Sequence, residues 1–350
     1  MESAASVSPH GFDAGGPSLA EVGEAELLRR LTALALRHGG DPRLTVASGD
    51  DAAVWRPPAG AGIVLSQDAI VEGEDFLRAW TDPRTVGGRA LAVALSDIAA
   101  MGARPRLCLV TLCARGETRV ADLLAVQEGI CAAAVAAGCR VAGGDVSAIA
   151  GPLVIDVAVM GTVDPERALR RDRGRPGDAL VVTGCLGGAA AGLHLLLQGL
   201  DASGADAARW LDRQLRPRAR LAEGRALAEL GVECAGDLSD GLIVDVGRIT
   251  EASGCGAEIW LESIPAEPGI ESLLGQGWVA AALGGGEDFE LVAAVAADRL
   301  EGLLAGWPAG LEPLHVVGRL DTGSGLRLRD RRGGDPLPLP GVASRHFRQP

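Results

Sequence analysis

The run from Pro165 to Gly177 divides this chain more decisively than any other segment. It sets Arg167, Arg170, Arg171, Arg173 and Arg175 among prolines and glycines, without the period of a helix or a strand. On both sides of it, short apolar runs alternate with stretches of helical spacing, the pattern of α/β layered domains in which mixed sheets are covered by helices. A chain of 350 residues also exceeds one ordinary core, at roughly 150 residues per domain. The expected organisation is a loose tail over 1–20, rich in Ser, Gly, Ala and Pro, an N-terminal domain over 21–164 and a C-terminal domain over 165–350.

In the first half, Leu27, Leu28, Leu31, Leu34 and Leu36 recur at roughly helical spacing until Gly39-Gly40 and Pro42 stop them. A strand over 63–67 closed by Asp68, a helix over 82–101 with Pro83 in its first turn, a buried strand over 106–113, a helix over 118–137, a short strand into Gly143-Gly144-Asp145 and a strand over 153–163 follow. The second half repeats the alternation. Strands are predicted over 179–183, 256–261, 289–295 and 313–319, with helices near 187–199, 205–215, 218–230 and 239–252.

Composition removes several kinds of chemistry. Lysine, asparagine and tyrosine do not occur, so all 33 basic residues are arginine. A P-loop lysine, a Schiff-base lysine and a tyrosine acid or base are therefore excluded. The formal charge of −13 argues against a grip on nucleic acid, which needs cations facing phosphates. Seven cysteines, scattered and without a Cys-x-x-Cys pair, fit a reducing cytoplasm rather than a disulfide framework. The N-terminus shows no basic region followed by an apolar stretch. Residues 179–200 lack formally charged side chains, but Gly184, Gly187 and Gly188 divide them into strand, turn and helix start, so no membrane span is expected.

The acids fall at joints. Asp50-Asp51, Asp68, Asp97, Asp145, Asp237 with Asp240, and Glu287-Asp288 stand beside small residues, at the predicted ends of strands and helices. Any one of them is most simply an N-cap or turn acid. As a set accompanied by glycines, they suit a hard cation such as Mg2+, which takes one or two carboxylates and completes its shell with phosphates and water. Gly143-Gly144 offers a backbone that a phosphate can approach closely. In Asp237-Leu238-Ser239-Asp240-Gly241-Leu242, Ser239 is expected to cap a helix whose stripe is Leu242, Ile243, Val246 and Ile249, with free N–H groups for an anion and Asp245 facing solvent. Thr183-Gly184-Cys185-Leu186-Gly187-Gly188 lacks dinucleotide-loop spacing and reads as helix packing, while the histidines show no metal-ligand spacing and no Gly-x-Ser-x-Gly elbow occurs. Most arginines of the 167–175 run read as a solvated linker, with one or two able to reach a nucleotide phosphate.

In order along the chain, GDDAAV (49–54), SQDAIVEGEDF (66–76), RALAVALSDIAAMGARPR (89–106), GGDVS (143–147), VTGCLGGAAAGL (182–193), DLSDGLIVDVGRI (237–249) and GGGEDFEL (284–291) together resemble the thiamine-monophosphate kinase family. That family lies within the superfamily similar to aminoimidazole ribonucleotide synthetase. The resemblance implies two α/β domains, a homodimer formed through the N-terminal domains, and ATP held with several Mg2+ ions between the domains. It makes Asp51, Ser66, Asp68, Asp97, Asp145, Asp237 and Asp240 metal ligands, with Asp68, Asp97, Asp145 and Asp240 closest to the chemistry. Gly144, Asp145, Arg171 and Ser239 match positions that touch ATP, and Asp75, Glu287 and Phe347 match positions near thiamine. The chain departs from the family pattern at Asp75, where His is usual, at Ala94 for Asn, and at Phe289 for Tyr; none of these is a proposed metal ligand.

The implied reaction is Mg-dependent, in-line transfer of the ATP γ-phosphoryl group to thiamine monophosphate. The rival enzyme is a purine-pathway relative of the same superfamily, and the rival outside enzymology is a silent nucleotide-binding module. A selenophosphate synthetase would need a reactive residue near its N-terminus, whereas the first cysteine is Cys108. The hydrogenase-maturation relative ends in cysteine, and this chain ends in Phe347-Arg348-Gln349-Pro350.

Overall fold

The structure is a computed structural model in which residues 11–13 and 15–341 are described; Phe347 lies outside them. The chain forms two compact units, one of Met1–Ile98 with Arg104–Thr162, the other of Ala99–Ala103 with Val163–Pro350.

The first unit runs α1 (Leu19–Val22), α2 (Glu24–Arg37), β1 (Leu44–Val46), β2 (Val54–Trp55), β3 (Gly62–Val71), α3 (Pro83–Ala100), β4 (Arg104–Ala114), α4 (Val120–Ala137), β5 (Arg140–Ala148) and β6 (Val154–Val163). The strands β3-β6-β4-β5 form one sheet, with β4 antiparallel to β6 and parallel to β5. Among the described residues of the expected tail, those from Ser18 onward are tied to the rest of the unit. Ser18 and Glu21 form a reciprocal capping box on α1, while Leu19 N–H and Ala20 N–H donate to the carbonyls of Thr118 and Gly116, each at 2.8 Å. In α2, Leu27 and Leu34 are buried as the spacing predicts, but Leu36 is 52% exposed.

Register assigns the sheet faces. Val110 and Leu112 are opposite Val157 and Ile155, and all of them are buried; α4 lies against β4 and β5. On the other side Ile63, Leu65 and Leu109 stay exposed, Leu65 by 73%, around an apolar hollow of about 420 Å³ that Trp55, Ala158 and Met160 also line. By length and composition α4 is apolar enough to cross a membrane, yet its buried residues include Leu123, Val126, Ile130 and Cys131, as in the core helix of a folded domain. Two glycines make its fit to α3 possible. A Cβ at Gly87 would stand 1.9 Å from Val126 O, and one at Gly129 would stand 1.9 Å from Arg84 O.

The second unit holds β7 (Ala179–Thr183), α5 (Gly188–Gln198), α6 (Ala205–Leu215), α7 (Leu221–Glu229), β8 (Cys234–Asp237), α8 (Leu242–Ser253), β9 (Gly256–Trp260), α9 (Ile270–Leu274), α10 (Trp278–Gly284), β10 (Leu291–Val295), α11 (Leu300–Gly306), β11 (Leu314–Asp321), β12 (Gly325–Arg329) and β13 (Pro336–Leu337). Its sheet order is β13-β12-β9-β11-β7-β10-β8, antiparallel except for β12 on β9. The central strands are apolar throughout because both faces are covered. Leu180, Val182 and Val292 pack with Leu242, Val246 and Ile249 of α8. Val181, Ala293 and Val295 turn the other way, onto Leu227 of α7 and Leu303 of α11. The segment Pro165–Gly177 contains two short 3₁₀ turns, Pro165–Arg167 and Arg171–Arg173.

Adding one methyl group tests the α3–α4 contact. Gly129→Ala should cost about 3 kcal/mol or more, since the clash is with backbone and cannot be relieved by a rotamer change. Gly247→Ala, at a helical position with nothing within 4 Å of a new Cβ, should instead stabilise by about 0.5–1 kcal/mol. Urea denaturation of both variants compares them, and equal effects would contradict the packing described.

Candidate active site

In the first unit, β3 continues through Asp68 to Val71, so Asp68 lies inside a strand rather than closing one. Ser66 and Asp68 are two residues apart and share a face of β3. There the Ser66 hydroxyl donates to Asp97 Oδ2, on α3. Gln67 points the other way and donates to Asp156 Oδ2 at 2.5 Å. Asp156 is opposite Thr111, and Thr111 is opposite Asp145, so Asp145 belongs to the row of Gln67. The sheet thus brings Ser66 and Asp97 together and sets Asp145 apart from them. Asp145 Oδ2 accepts from Ser147 Oγ at 3.1 Å. Gly144 lets β5 approach β4, because a Cβ there would meet Val110 O at 1.9 Å. Asp51 is exposed in the turn before β2, its N–H donating to Asp50 Oδ1 at 2.8 Å. Asp75 closes the turn after β3: Oδ2 accepts from Val71 N–H at 2.7 Å, and its own N–H reaches Val71 O at 2.9 Å.

In the second unit, Asp237 ends β8, buried, with Oδ1 3.3 Å from Arg171 Nη2. The helix that Ser239 was expected to cap starts later, at Leu242, behind Gly241 at φ 100°, with no side-chain cap bond. Ser239 instead offers its carbonyl to Glu287 N–H at 2.8 Å. Asp245 does not face solvent: it is 1% exposed, accepts from Asp240 N–H at 3.0 Å and pairs with Arg248 Nη1 at 2.5 Å. Asp240 pairs with the same guanidinium. Burial, reinforced by the charge of Asp237, pushes the Asp245 carboxyl up to about 7, against the pull of Arg248.

The loop from Gly284 to Glu290 is tied by several side-chain and main-chain bonds. Glu287 and Phe289 hold positive φ, 69° and 50°, a conformation that costs energy outside glycine. Asp288 is a helix cap rather than a metal-ligand candidate: Oδ2 accepts from Gly187 N–H at 2.7 Å and Oδ1 from Ala189 N–H at 3.2 Å, at the start of α5. The glycine-rich stretch before α5 therefore packs a helix, as its spacing indicates. Glu290, fully buried, accepts from Thr183 Oγ1 at 2.6 Å and pairs with Arg213 at 3.2 Å and with Arg220. Gln214 Nε2 donates to Glu287 Oε2 at 3.0 Å. Gln214, Arg213, Arg220 and Thr183 carry no sequence signal of their own; only the fold puts them beside the 284–290 loop.

The donor chemistry fits a hard cation in part. Ser66, Asp68 and Asp97 in the first unit, and separately Asp237 and Asp240 in the second, supply oxygen alone, which suits Mg2+. Among the described residues no three His, Cys, Asp or Glu side chains form a metal-holding group, so such an ion would need phosphate and water oxygens to complete its shell.

Residues 49–163 match the family model for the N-terminal domain of AIR synthase related proteins, and residues 175–331 match the model for the C-terminal domain. The thiamine-monophosphate kinase of Bacillus subtilis is 33% identical over 297 residues, 84% of this chain and 90% of that protein. This chain belongs to the thiamine-monophosphate kinase family. The family member from Salmonella typhimurium is 38% identical over 248 residues, covering 69% of this chain and 74% of its own. Among solved structures, the thiamine-monophosphate kinase of Stenotrophomonas maltophilia superposes with a TM-score of 0.77 at 35% identity, over 87% of this chain and 96% of its own. AaThiL complexed with AMPPCP and TMP gives 0.71 at 27% identity, over 91% and 97%. Hydrogenase maturation protein HypE in complex with ATP, at 19% identity and 0.73 over 91% and 97%, shares the fold.

For this kinase-family chain, the Asp288 cap makes a pH prediction. Burial raises its carboxyl to about 7, against the two backbone donors that favour ionisation. Because the folded-state pKa is above the unfolded one, the stability that the protonated form gives is complete below about 4. It is lost as pH rises through about 7. Asp288→Asn removes this titration while retaining one acceptor, so the stability difference from wild type should change with pH between about 4 and 7. Urea midpoints across that range measure it; a difference constant with pH would contradict the buried-cap assignment.

Proposed function

We propose that the chain transfers the γ-phosphoryl group of ATP directly to the phosphate of thiamine monophosphate, giving thiamine diphosphate and ADP. The observation that carries this reading is kinship across both domains: the Bacillus subtilis relative aligns over 90% of its length, and both halves of the chain match domain models of AIR synthase related proteins. The acceptor is a phosphate monoester whose second pKa is about 6, so it is mostly dianionic at neutral pH and needs no strong general base. The obstacle is charge. Unit charges at ~4 Å repel by roughly 4 kcal/mol at an effective dielectric of 20, and two phosphate chains carry several such pairs.

Mg2+ would lower that repulsion when bound and orient the phosphate oxygens. In the first unit, Asp51, Ser66, Asp68 and Asp97 are proposed to hold one ion, while Asp145, in the row of Gln67 on the other face of the sheet, is proposed to serve a separate one; in the second unit, Asp237 and Asp240 are the proposed ligands. The Ser66 hydroxyl bond to Asp97 orients that carboxylate. The buried Asp237 fixes the direction of Arg171, whose side chain is 41% exposed and is proposed, with the Gly144 backbone and Ser239, to contact ATP. Glu287, Asp75 and Phe347 are proposed to lie near thiamine. Of these, Asp75 already spends one oxygen on the Val71 N–H, which suits a role in shaping its turn.

The exposed apolar face of the first unit's sheet, with Leu65 73% exposed, supports a homodimer through this face. A cytoplasmic location suits a chain whose cysteines are free thiols.

Parallel assays of thiamine monophosphate, thiamine and purine intermediates test the reading: ADP release should require thiamine monophosphate, and preference for a purine intermediate would overturn it. Asp68→Ala and Asp97→Ala should each lower kcat at least a hundredfold with the fold intact by circular dichroism, and activity within a few-fold of wild type would remove that residue from the site. Leu65→Arg should convert a dimer to a monomer in sedimentation; an unchanged sedimentation coefficient would contradict pairing through this face.

A further inference from the structure

Ahead of Ser18, the chain is fastened to one particular turn. Phe12 stacks on Phe76, with ring centroids 6.4 Å apart and planes 16° from parallel, and the Arg78 guanidinium lies over the same Phe12 ring at 4.9 Å. Phe76 and Arg78 both belong to the turn after β3, and Phe76 is buried. Arg78 spans that turn by a forked pair with Glu72 at 2.6 and 3.1 Å, and Glu72 also accepts from Leu153 N–H at 3.1 Å. The residues after Phe12 are anchored elsewhere in the same unit. Asp13 N–H donates to Asp122 Oδ2 of α4 at 2.9 Å, and Gly16 O accepts from Arg119 Nη1 at 3.1 Å.

Internal bonds fix the shape of such a turn but not its direction. Gly73 N–H to Phe76 O and Asp75 N–H to Val71 O, each at 2.9 Å, close it on itself, and Glu72 ties its base to the chain entering β6. Phe12 adds an outer contact, an aromatic face for Phe76 and a seat for the Arg78 cation. The ion pair of Arg78 with Asp13, at 3.4 Å, adds little, since the Asp13 side chain is 74% exposed and screened by water. A turn released from Phe12 would have to be ordered by whatever binds beside it, which lowers affinity. The turn carries Asp75, proposed above to lie near thiamine. We propose that Phe12 is a positioning residue that holds the Asp75 turn for the organic part of the phosphoryl acceptor, and so governs affinity for thiamine monophosphate rather than for ATP, a role that rests on the function proposed above.

Two measurements on the full chain test it, and the first does not depend on the reaction. In Phe12→Ala, amide hydrogen exchange in peptides spanning 71–78 should quicken about tenfold, while peptides from α3 and β4 exchange as in wild type. In steady-state kinetics with each substrate varied separately, the same variant should raise the KM for thiamine monophosphate about tenfold, the loss expected for one aromatic pair with one cation–π contact. Its kcat and its KM for ATP should stay within about twofold of wild type. Phe12→Tyr, which keeps both ring contacts, should restore the exchange and the KM. In an Asp75→Ala background, Phe12→Ala should have little further effect on that KM. Unchanged exchange in the turn overturns the proposal, as do KM values that move together or not at all, a Phe12→Tyr chain that behaves like Phe12→Ala, or full additivity with Asp75→Ala. A wild-type chain that does not turn over thiamine monophosphate would overturn the function itself, and the exchange measurement would still decide whether Phe12 holds the turn.

Discussion

The second unit depends on the loop Glu287-Asp288-Phe289-Glu290, which places acids where main chain and cations must be satisfied. Asp288 supplies both oxygens to the first amides of α5, Phe289 N–H reaches Leu238 O at 3.0 Å, and Leu238 N–H reaches Glu290 O at 2.8 Å. Glu290 then draws in β7 through Thr183, and Arg213 and Arg220 beside α6 and α7. A loop with so many obligatory partners cannot drift without leaving buried polar groups unmatched, each at a cost of about 1–3 kcal/mol. Positive φ at Glu287 and Phe289 is tolerated for the same reason: the surroundings over-determine the backbone.

The same economy runs through the first unit with glycine in place of acid. Gly87 and Gly129 let α3 and α4 touch, and Gly144 lets β5 close on β4. These contacts fix α3, which presents Asp97 to the Ser66 hydroxyl on β3. A carboxylate held by a hydroxyl donor keeps an oxygen for a further ligand, which is what an oxygen-seeking ion with phosphates in its shell requires.

Much of this was legible before any coordinates. The strand and helix alternation, the helices over α3, α4 and α6, and the packing role of the stretch before α5 follow from local spacing, and local spacing is what a sequence exposes. What it concealed depends on which side chains and strands pair, sometimes near in sequence and sometimes far along the chain. Asp245 looks like a solvent-facing acid one turn into a helix, yet it is buried and bonded to Arg248 and the Asp240 amide. Ser239 has the chemistry of a cap, but Gly241 takes that position while the Ser239 carbonyl is committed to Glu287. Asp68 looks like a strand end because an acid there resembles a stop, and strand pairing carries the backbone on to Val71. Gln214 gave no signal at all, since its partner lies 73 residues away. Asp145, grouped with Asp68 by motif, is separated from it by strand register.

The central claim is direct transfer between two phosphates, with the protein orienting both and never carrying the phosphoryl group itself. ATP made chiral with oxygen isotopes at the γ-phosphorus, incubated with this chain and thiamine monophosphate, measures it through the configuration of the terminal phosphoryl group in the thiamine diphosphate formed. Inversion is the predicted result, as for one in-line displacement. Retention would require an intermediate on the protein and would contradict the account.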